Sequence, residues 1–326
     1  MKKTLRLLPI LFVLGAGAPA GAQQPKKVPR IGYLTGGSRS STSPLTEAFR
    51  QGLRELGYVD GQNIAIEERF GSAETFPELA AELVRRKVDV IVVAGGASAL
   101  AAKNATKTIP IVMTVVGDPV GTGVVASLSR PGGNVTGLST MAPELSGKRL
   151  ELLKEVVPGL SRVAVFANPI SPSLALMLTE TRDAARSLGL QLQIVEVPGA
   201  GSGDFESAFR TAAKARAGAV DVLSSNAWFI QRKTLVELAA KNRLPAIYDD
   251  RGIVESGGLI SYGPDRSDLN RRAATYVDKI LKGRKPADLP VEQPMKFELV
   301  INLKAAKQIG LAIPQSVLYR ADKVIK

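Results

Sequence analysis

Residues 109–139 read IPIVMTVVGDPVGTGVVASLSRPGGNVTGLS, and the fold turns on this stretch. The apolar run over 111–116 predicts a buried strand, and Gly117-Asp118-Pro119 a sharp break after it. Asp118 suits an N-cap, and Pro119 the first position of a short helix that follows. The turn Arg130-Pro131-Gly132-Gly133 then leads into a second short strand from Val135. An apolar strand that ends in such a turn and feeds a helix is how open α/β sheets build ligand loops. Those loops lie outside the carboxyl ends of the strands, where helix N-termini offer free N–H groups. A capped helix start explains one such pattern. Its recurrence along the chain argues for a sheet built of βα repeats.

Upstream, strands are predicted over 30–35, 63–69 and 89–93, and helices over 44–56, 76–86 and from Ala97-Ser98 to about Ala105. The strands over 30–35 and 89–93 are continuous apolar runs, as parallel strands buried on both faces should be. A longer helix over 145–157 closes at Pro158-Gly159. A second array then repeats the alternation: strands over 162–166, 191–197, 219–223, 245–248 and 259–262, and helices over 173–188, 204–215 and 228–242. The tail does not form a third array. It carries a helix over 268–281, a proline-rich extended piece over 286–294, a strand over 297–301 and a helix over 304–309 capped by Asn302. Pieces this short fit a chain crossing between two lobes that already exist.

The chain has 326 residues, enough for two lobes. It is 45% hydrophobic and 22% charged, the balance of an ordinary globular protein. Cysteine and histidine are both absent. This removes disulfides, thiol nucleophiles, zinc–thiolate sites, Ser-His-Asp triads and histidine metal ligands. No P-loop or dinucleotide fingerprint follows any Gly-rich turn. Neither Glu67-Glu68 nor Asp249-Asp250 reads as a converging acid pair, because neighbours on a strand point to opposite faces. An enzyme on a flavodoxin-like or Rossmann-like frame is therefore disfavoured, and no catalytic residue, cofactor or metal is expected. The net charge of +13 is scattered over helix faces, and aromatics make up only 5%. Nucleic acid is not the expected partner.

Lys2, Lys3 and Arg6 precede an apolar core from Leu7 to Ala18 and the small-residue site Ala20-Gly21-Ala22. These are the marks of a secretory leader over 1–22, too short to prefer spanning a membrane. No cysteine follows for lipid attachment. A mature protein in a bacterial periplasm is the expectation.

Several segments together resemble the ABC transporter substrate-binding protein family, in the group that includes tryptophan- and aromatic-amino-acid-binding members. They are FRQGLRELGYVDGQNIAIEERF, LAAELVRRKVDVIVV, the opening stretch, KRLELLKEVVPGLSRVAVFANP, GGLISYGPD, RRAATYVDKILKGRKPADLPVEQPMKFELVINLKAAKQIGL and the terminal RADKVIK. RPGGNVTGLS combined with DLPVEQPMKFELVINLK is the most specific part. The resemblance implies an α/β fold of the type I periplasmic-binding kind, two doubly wound parallel-sheet lobes joined by three crossovers. Lobe 1 would take 28–141 with 263–290, and lobe 2 would take 142–262 with 291–326. The crossovers would fall near 140–144, 262–265 and 289–294.

In such a cleft the loops after the strands hold the ligand. From lobe 1 these are Gly36 and Ser38, Gly96, Ala97 and Ser98 with Thr114 near them, and Asp118. A helix start at 96–98 suits a carboxylate, and Asp118 or Asp249 suits an ammonium group. Lobe 2 offers Asn168, Asn226, Trp228, Tyr248 and Asp249. Each has a plainer reading: helix caps for Ser98 and Asp118, a core anchor for Trp228. The function implied is a monomeric exported solute receptor that delivers an amino acid, with the aromatic ones the favoured class, to an ABC permease in the inner membrane. The alternative is a sensor subunit that reports cleft occupancy to a membrane receptor.

Overall fold

A computed structural model describes residues 27–198 and 202–326. The leader read over 1–22 lies outside the described residues. Among these residues no helix is long and apolar enough to cross a membrane.

The first array runs β1 (Arg30–Gly36), α1 (Arg39–Glu55), β2 (Ala65–Gly71), α2 (Phe76–Arg85), β3 (Val90–Ala94), α3 (Gly96–Ala105), β4 (Ile111–Val116) and β5 (Val135–Ser139). Its strands form a five-stranded sheet in the order β2-β1-β3-β4-β5, every pair parallel. In β3, β4 and β5 every residue is buried. This is why their sequence shows no alternation.

The second array runs α4 (Glu144–Val156), β6 (Arg162–Ala167), α5 (Leu174–Leu188), β7 (Gln191–Glu196), α6 (Ser202–Lys214), β8 (Ala219–Val222), α7 (Asn226–Ile230), α8 (Arg232–Lys241), β9 (Ala246–Tyr248), α9 (Arg251–Glu255) and β10 (Ile260–Gly263). The chain then supplies α10 (Arg266–Leu281), a short 3-10 turn at Pro286–Asp288, β11 (Glu298–Asn302), α11 (Leu303–Ile309), α12 (Gln315–Leu318) and β12 (Lys323–Ile325). The second sheet has seven strands in the order β12-β11-β10-β9-β8-β6-β7. The β10–β11 pair is antiparallel and the rest are parallel. Each sheet has an apolar cluster on either face. The architecture is α/β with two parallel-sheet lobes.

Helix α10 belongs with the first sheet. Leu269, Ala273, Tyr276 and Val277 pack among Ile31, Phe49 and Val92, and Tyr33 donates its hydroxyl proton to Asn270 Oδ1 at 2.8 Å. Among the described residues the chain thus passes between sheets after β5, after β10 and after Glu292. Val291 N–H still donates to Leu128, and Glu292 pairs with Leu138 beside β5. Where the sequence reading divides the lobes at residue 290, the chain leaves the first sheet after 292.

Four local readings change. No helix follows Pro119: residues 119–129 are turns, and Asp118 Oδ1 accepts from the Gly121 N–H at 2.8 Å, closing a turn instead of capping a helix. Three glycines between 117 and 123 leave too few helix formers to propagate one. The helix read over 228–242 is two, interrupted at Gln231, whose φ of −99° and ψ of 18° end α7. Helix α1 begins at Arg39, not at Pro44, because Ser38 and Ser41 form a capping box upstream. The tail adds two strands to the second sheet's edge, β12 being a strand that alternation in RADKVIK is too short to announce.

Candidate functional site

The two sheets face each other across a cleft of about 420 Å³, large enough for a small organic molecule. The loops after β1, β2, β3 and β4 supply one wall, and those after β6, β7 and β8 the other. Its apolar surface comes from residues such as Phe76, Val116, Ile170, Pro172 and Ile230. The lobes touch around it. Arg232 of α8 donates to the Ser41 carbonyl at 3.3 Å. Pro172 lies where a Cβ on Gly96 would be in ordinary contact, at 3.4 Å.

The first wall carries the start of α3. Its N-cap is Gly95, so no side chain caps it, and the first-turn N–H groups have no intrahelical acceptor. Gly96, Ala97 and Ser98 line the cleft there. The Ser98 hydroxyl turns back to the Ala94 and Gly95 carbonyls at 3.1 and 2.9 Å, so what this turn presents to the cleft is backbone N–H. Asp118 lines the same wall. It comes off β4, the neighbour of β3 with Val93 opposite Met113, so the two loops emerge one strand apart. No Lys or Arg pairs with Asp118 among the described residues. A helix start and, one strand over, a carboxylate held by the Gly121 N–H but by no cation can take the two charged ends of an α-amino acid.

The second wall rests on buried charge. Arg266, the first residue of α10 and so on the first lobe's side of the crossover, supports it and lines the cleft with only 5% of its surface exposed. Its Nη2 donates to Asp249 Oδ2 at 2.6 Å, its Nε lies 3.2 Å from Asp250 Oδ2, and its Nη1 donates to Asn226 Oδ1 at 3.1 Å. Ser224 donates to the same Asp249 oxygen. Burial raises the Asp249 pKa, but the Arg266 and Arg149 charges and the hydrogen bonds from Ser224 and Arg266 outweigh it and hold the carboxylate below its ordinary range. Asp250 goes the other way. Burial outweighs Arg266, and the negative Asp249 adds to it, so its pKa is pushed up to about 6. One strand over, Asp221 is also pushed up to about 6 by burial, against the pull of Arg149.

Of the residues the sequence suggests, Gly36, Gly96, Ala97, Ser98, Asp118, Asn168 and Asn226 line this cleft together. Five do not. Ser38 caps α1. Thr114 is buried within β4. Trp228 is fully buried; its indole N–H donates to the Leu223 carbonyl and its ring stands 5.3 Å from Phe205, so it anchors the core. Tyr248 is buried in the same core, and burial pushes its hydroxyl pKa well up. Asp249 stands behind Arg266 and Ser224 as their partner. Asp249 and Asp250 do converge, on one guanidinium, because β9 ends at Tyr248 and the strand rule no longer governs them.

Arg266 is a site residue that sequence reasoning misses. Its signal lies in Gly263-Pro264-Asp265: Asp265 is an N-cap whose carboxylate accepts from Ser267 and Asp268, which moves the helix start to 266.

Residues 38–325 match the family model described as ABC transporter substrate binding protein. A tyrosine-binding protein of Clostridioides difficile (strain R20291) is 30% identical over 331 residues, covering 95% of this chain and 93% of that protein. The structure is similar to an ABC domain in complex with L-Trp from Streptococcus pneumonia, with a TM-score of 0.83 and 29% identity over 92% of this chain and all of that one. It is less similar, at a TM-score of 0.65 and 26% identity, to the ligand-free, open structure of a substrate binding protein from Clostridium difficile, again over 92% of this chain and all of that one. Fold, cleft and sequence agree, and the chain belongs to the ABC transporter substrate-binding protein family.

Proposed function

We propose that this protein is the exported solute receptor of an ABC uptake system and that it captures an aromatic L-α-amino acid in the cleft. The observation that carries the reading is the pairing of the uncapped α3 start, Gly96 to Ser98, with Asp118 at the end of the adjacent strand. The solute carboxylate meets the N–H groups of that turn, and its ammonium group meets Asp118. The side chain lies along the apolar surface that includes Phe76, Ile170 and Ile230. Relatives named for tyrosine and bound to L-Trp support the aromatic class. No bond is made or broken. Closure of the two lobes presents the loaded protein to an inner-membrane permease. The protein works as a monomer in the periplasm after loss of residues 1–22.

The test is a thermal-shift screen with L-tyrosine, L-tryptophan, L-phenylalanine, branched-chain amino acids and aromatic acids that lack the amine. At a hundred times Kd a true solute adds roughly 2.7 kcal/mol of stability, a rise in Tm of several degrees. The aromatic amino acids are expected to give it and their deaminated analogues much less. A rise with the deaminated acids alone would remove Asp118 from the site, and no rise with any of them would overturn the reading.

A further inference from the structure

Arg266 commits three of its nitrogens, two to Asp249 and Asp250 and the third, Nη1, to Asn226 Oδ1. That third contact orients the Asn226 amide. With the oxygen held by the guanidinium, the NH2 end faces β3 of the first lobe, where it donates to the Ala94 carbonyl at 2.8 Å. Ala94 is the last residue of β3, two positions before α3 begins, and Asn226 begins α7 from the opposite sheet. The contact therefore crosses the cleft at the lip of the α3 start. The amide cannot be turned over at no cost: its NH2 would then face a guanidinium, and its oxygen the Ala94 carbonyl oxygen. Space for it exists only because residue 95 is glycine. A Cβ there would lie 2.3 Å from Asn226 Nδ2, and the Gly95 φ of +105° disfavours any other residue.

We infer that Arg266 and Asn226 form a clasp between the lobes. Arg266 is the positioning residue that orients the Asn226 amide, and Asn226 fastens lobe 2 onto the start of α3. The inference rests on the reading of this cleft as the solute site, and it gives Arg266 and Asn226 a part in affinity that needs no solute contact from either. The apparent Kd of a protein that binds only when closed scales inversely with its closed fraction. Whatever loosens the clasp weakens every solute of the class alike.

The experiment uses the full mature chain, which has no native cysteine. Val59→Cys in the first lobe and Tyr319→Cys in the second, both at exposed positions, carry a fluorophore pair that reports the distance between lobes. In this background Asn226→Ala removes the tie across the cleft to Ala94 and leaves Arg266, beside the crossover, on its two aspartates. It is expected to shift the population toward the longer distance and to weaken L-tyrosine or L-tryptophan binding about tenfold. Arg266→Lys keeps the charge against Asp249 and Asp250 but loses the directed third N–H. It is expected to open the lobes as Asn226→Ala does. An Asn226→Ala protein with the wild-type distance distribution and affinity overturns the clasp, and so does an Arg266→Lys protein that is as closed as wild type. If wild type binds no amino acid, the solute reading fails, while the distance measurement still decides the clasp.

Discussion

Two buried aspartates show how little of a residue's chemistry lies in its type. Asp221 lies in β8 and Asp249 just past the end of the adjacent β9, both buried, and their pKa values move in opposite directions. Asp249 has Arg266, Arg149 and the Ser224 hydroxyl around it. Asp221 has no hydrogen-bond partner for either oxygen among the described residues, and only the Arg149 charge opposes its burial. Its folded pKa of about 6 stands above the unfolded 3.8. Between those values the folded state holds a proton that the unfolded chain has released, so the stability this group contributes falls as pH rises from about 4 to about 6. Asp221→Asn fixes the neutral form. Urea unfolding is expected to show this variant gaining on wild type by on the order of 2 kcal/mol between pH 4 and pH 8, from roughly 1.4 kcal/mol for each tenfold difference in proton affinity. A variant that loses ground as pH rises would show that the ionised form is the favoured one. Asp118 predicts a different phenotype. Asn keeps the Oδ1 acceptor for the Gly121 N–H, so Asp118→Asn is expected to leave Tm nearly unchanged and to cost tenfold or more in affinity for amino acids, measured by calorimetric titration.

At the scale of elements, the strands and most helices are legible because burial on both faces and helical spacing leave strong marks. The first sheet's runs, such as VIVVA and IVMTVV, allow little else. What stays hidden in the sequence is set by contacts remote in the chain. Helix α7 stops at Ile230, whose side chain reaches the Gly36 and Gly37 backbone of the other lobe, 3.0 Å from where a Cβ on Gly37 would stand. The role of Trp228 is open in the sequence for the same reason. An aromatic residue at the start of a helix after a strand can face either way, and only the position of Phe205 from α6 decides that it faces inward. Trp228→Ala is accordingly expected to cost about 3–5 kcal/mol of stability in urea unfolding followed by circular dichroism. The solute Kd of the folded fraction should stay within a factor of a few. A large loss of affinity with little loss of stability would return Trp228 to the cleft.

The whole molecule is two sheets that meet at a cleft, and most of the lining comes from strand ends that the alternation of strands and helices already marks. Gly96, Ala97, Asp118, Asn168 and Asn226 are of this kind. Arg266 is not. It lies where the chain crosses between lobes, and its partners are 16 or 17 residues upstream, across a turn whose geometry no local pattern fixes. The central claim is that the α3 start and Asp118 together recognise an aromatic L-α-amino acid. Calorimetric titration of the mature protein with L-tyrosine and L-tryptophan, beside the same side chains carried on molecules without the amine, tests it most directly. Saturable one-to-one binding of the amino acids, at least tenfold tighter than that of the deaminated analogues, is the predicted result. Equal affinity for both sets, or no heat from either, would contradict it.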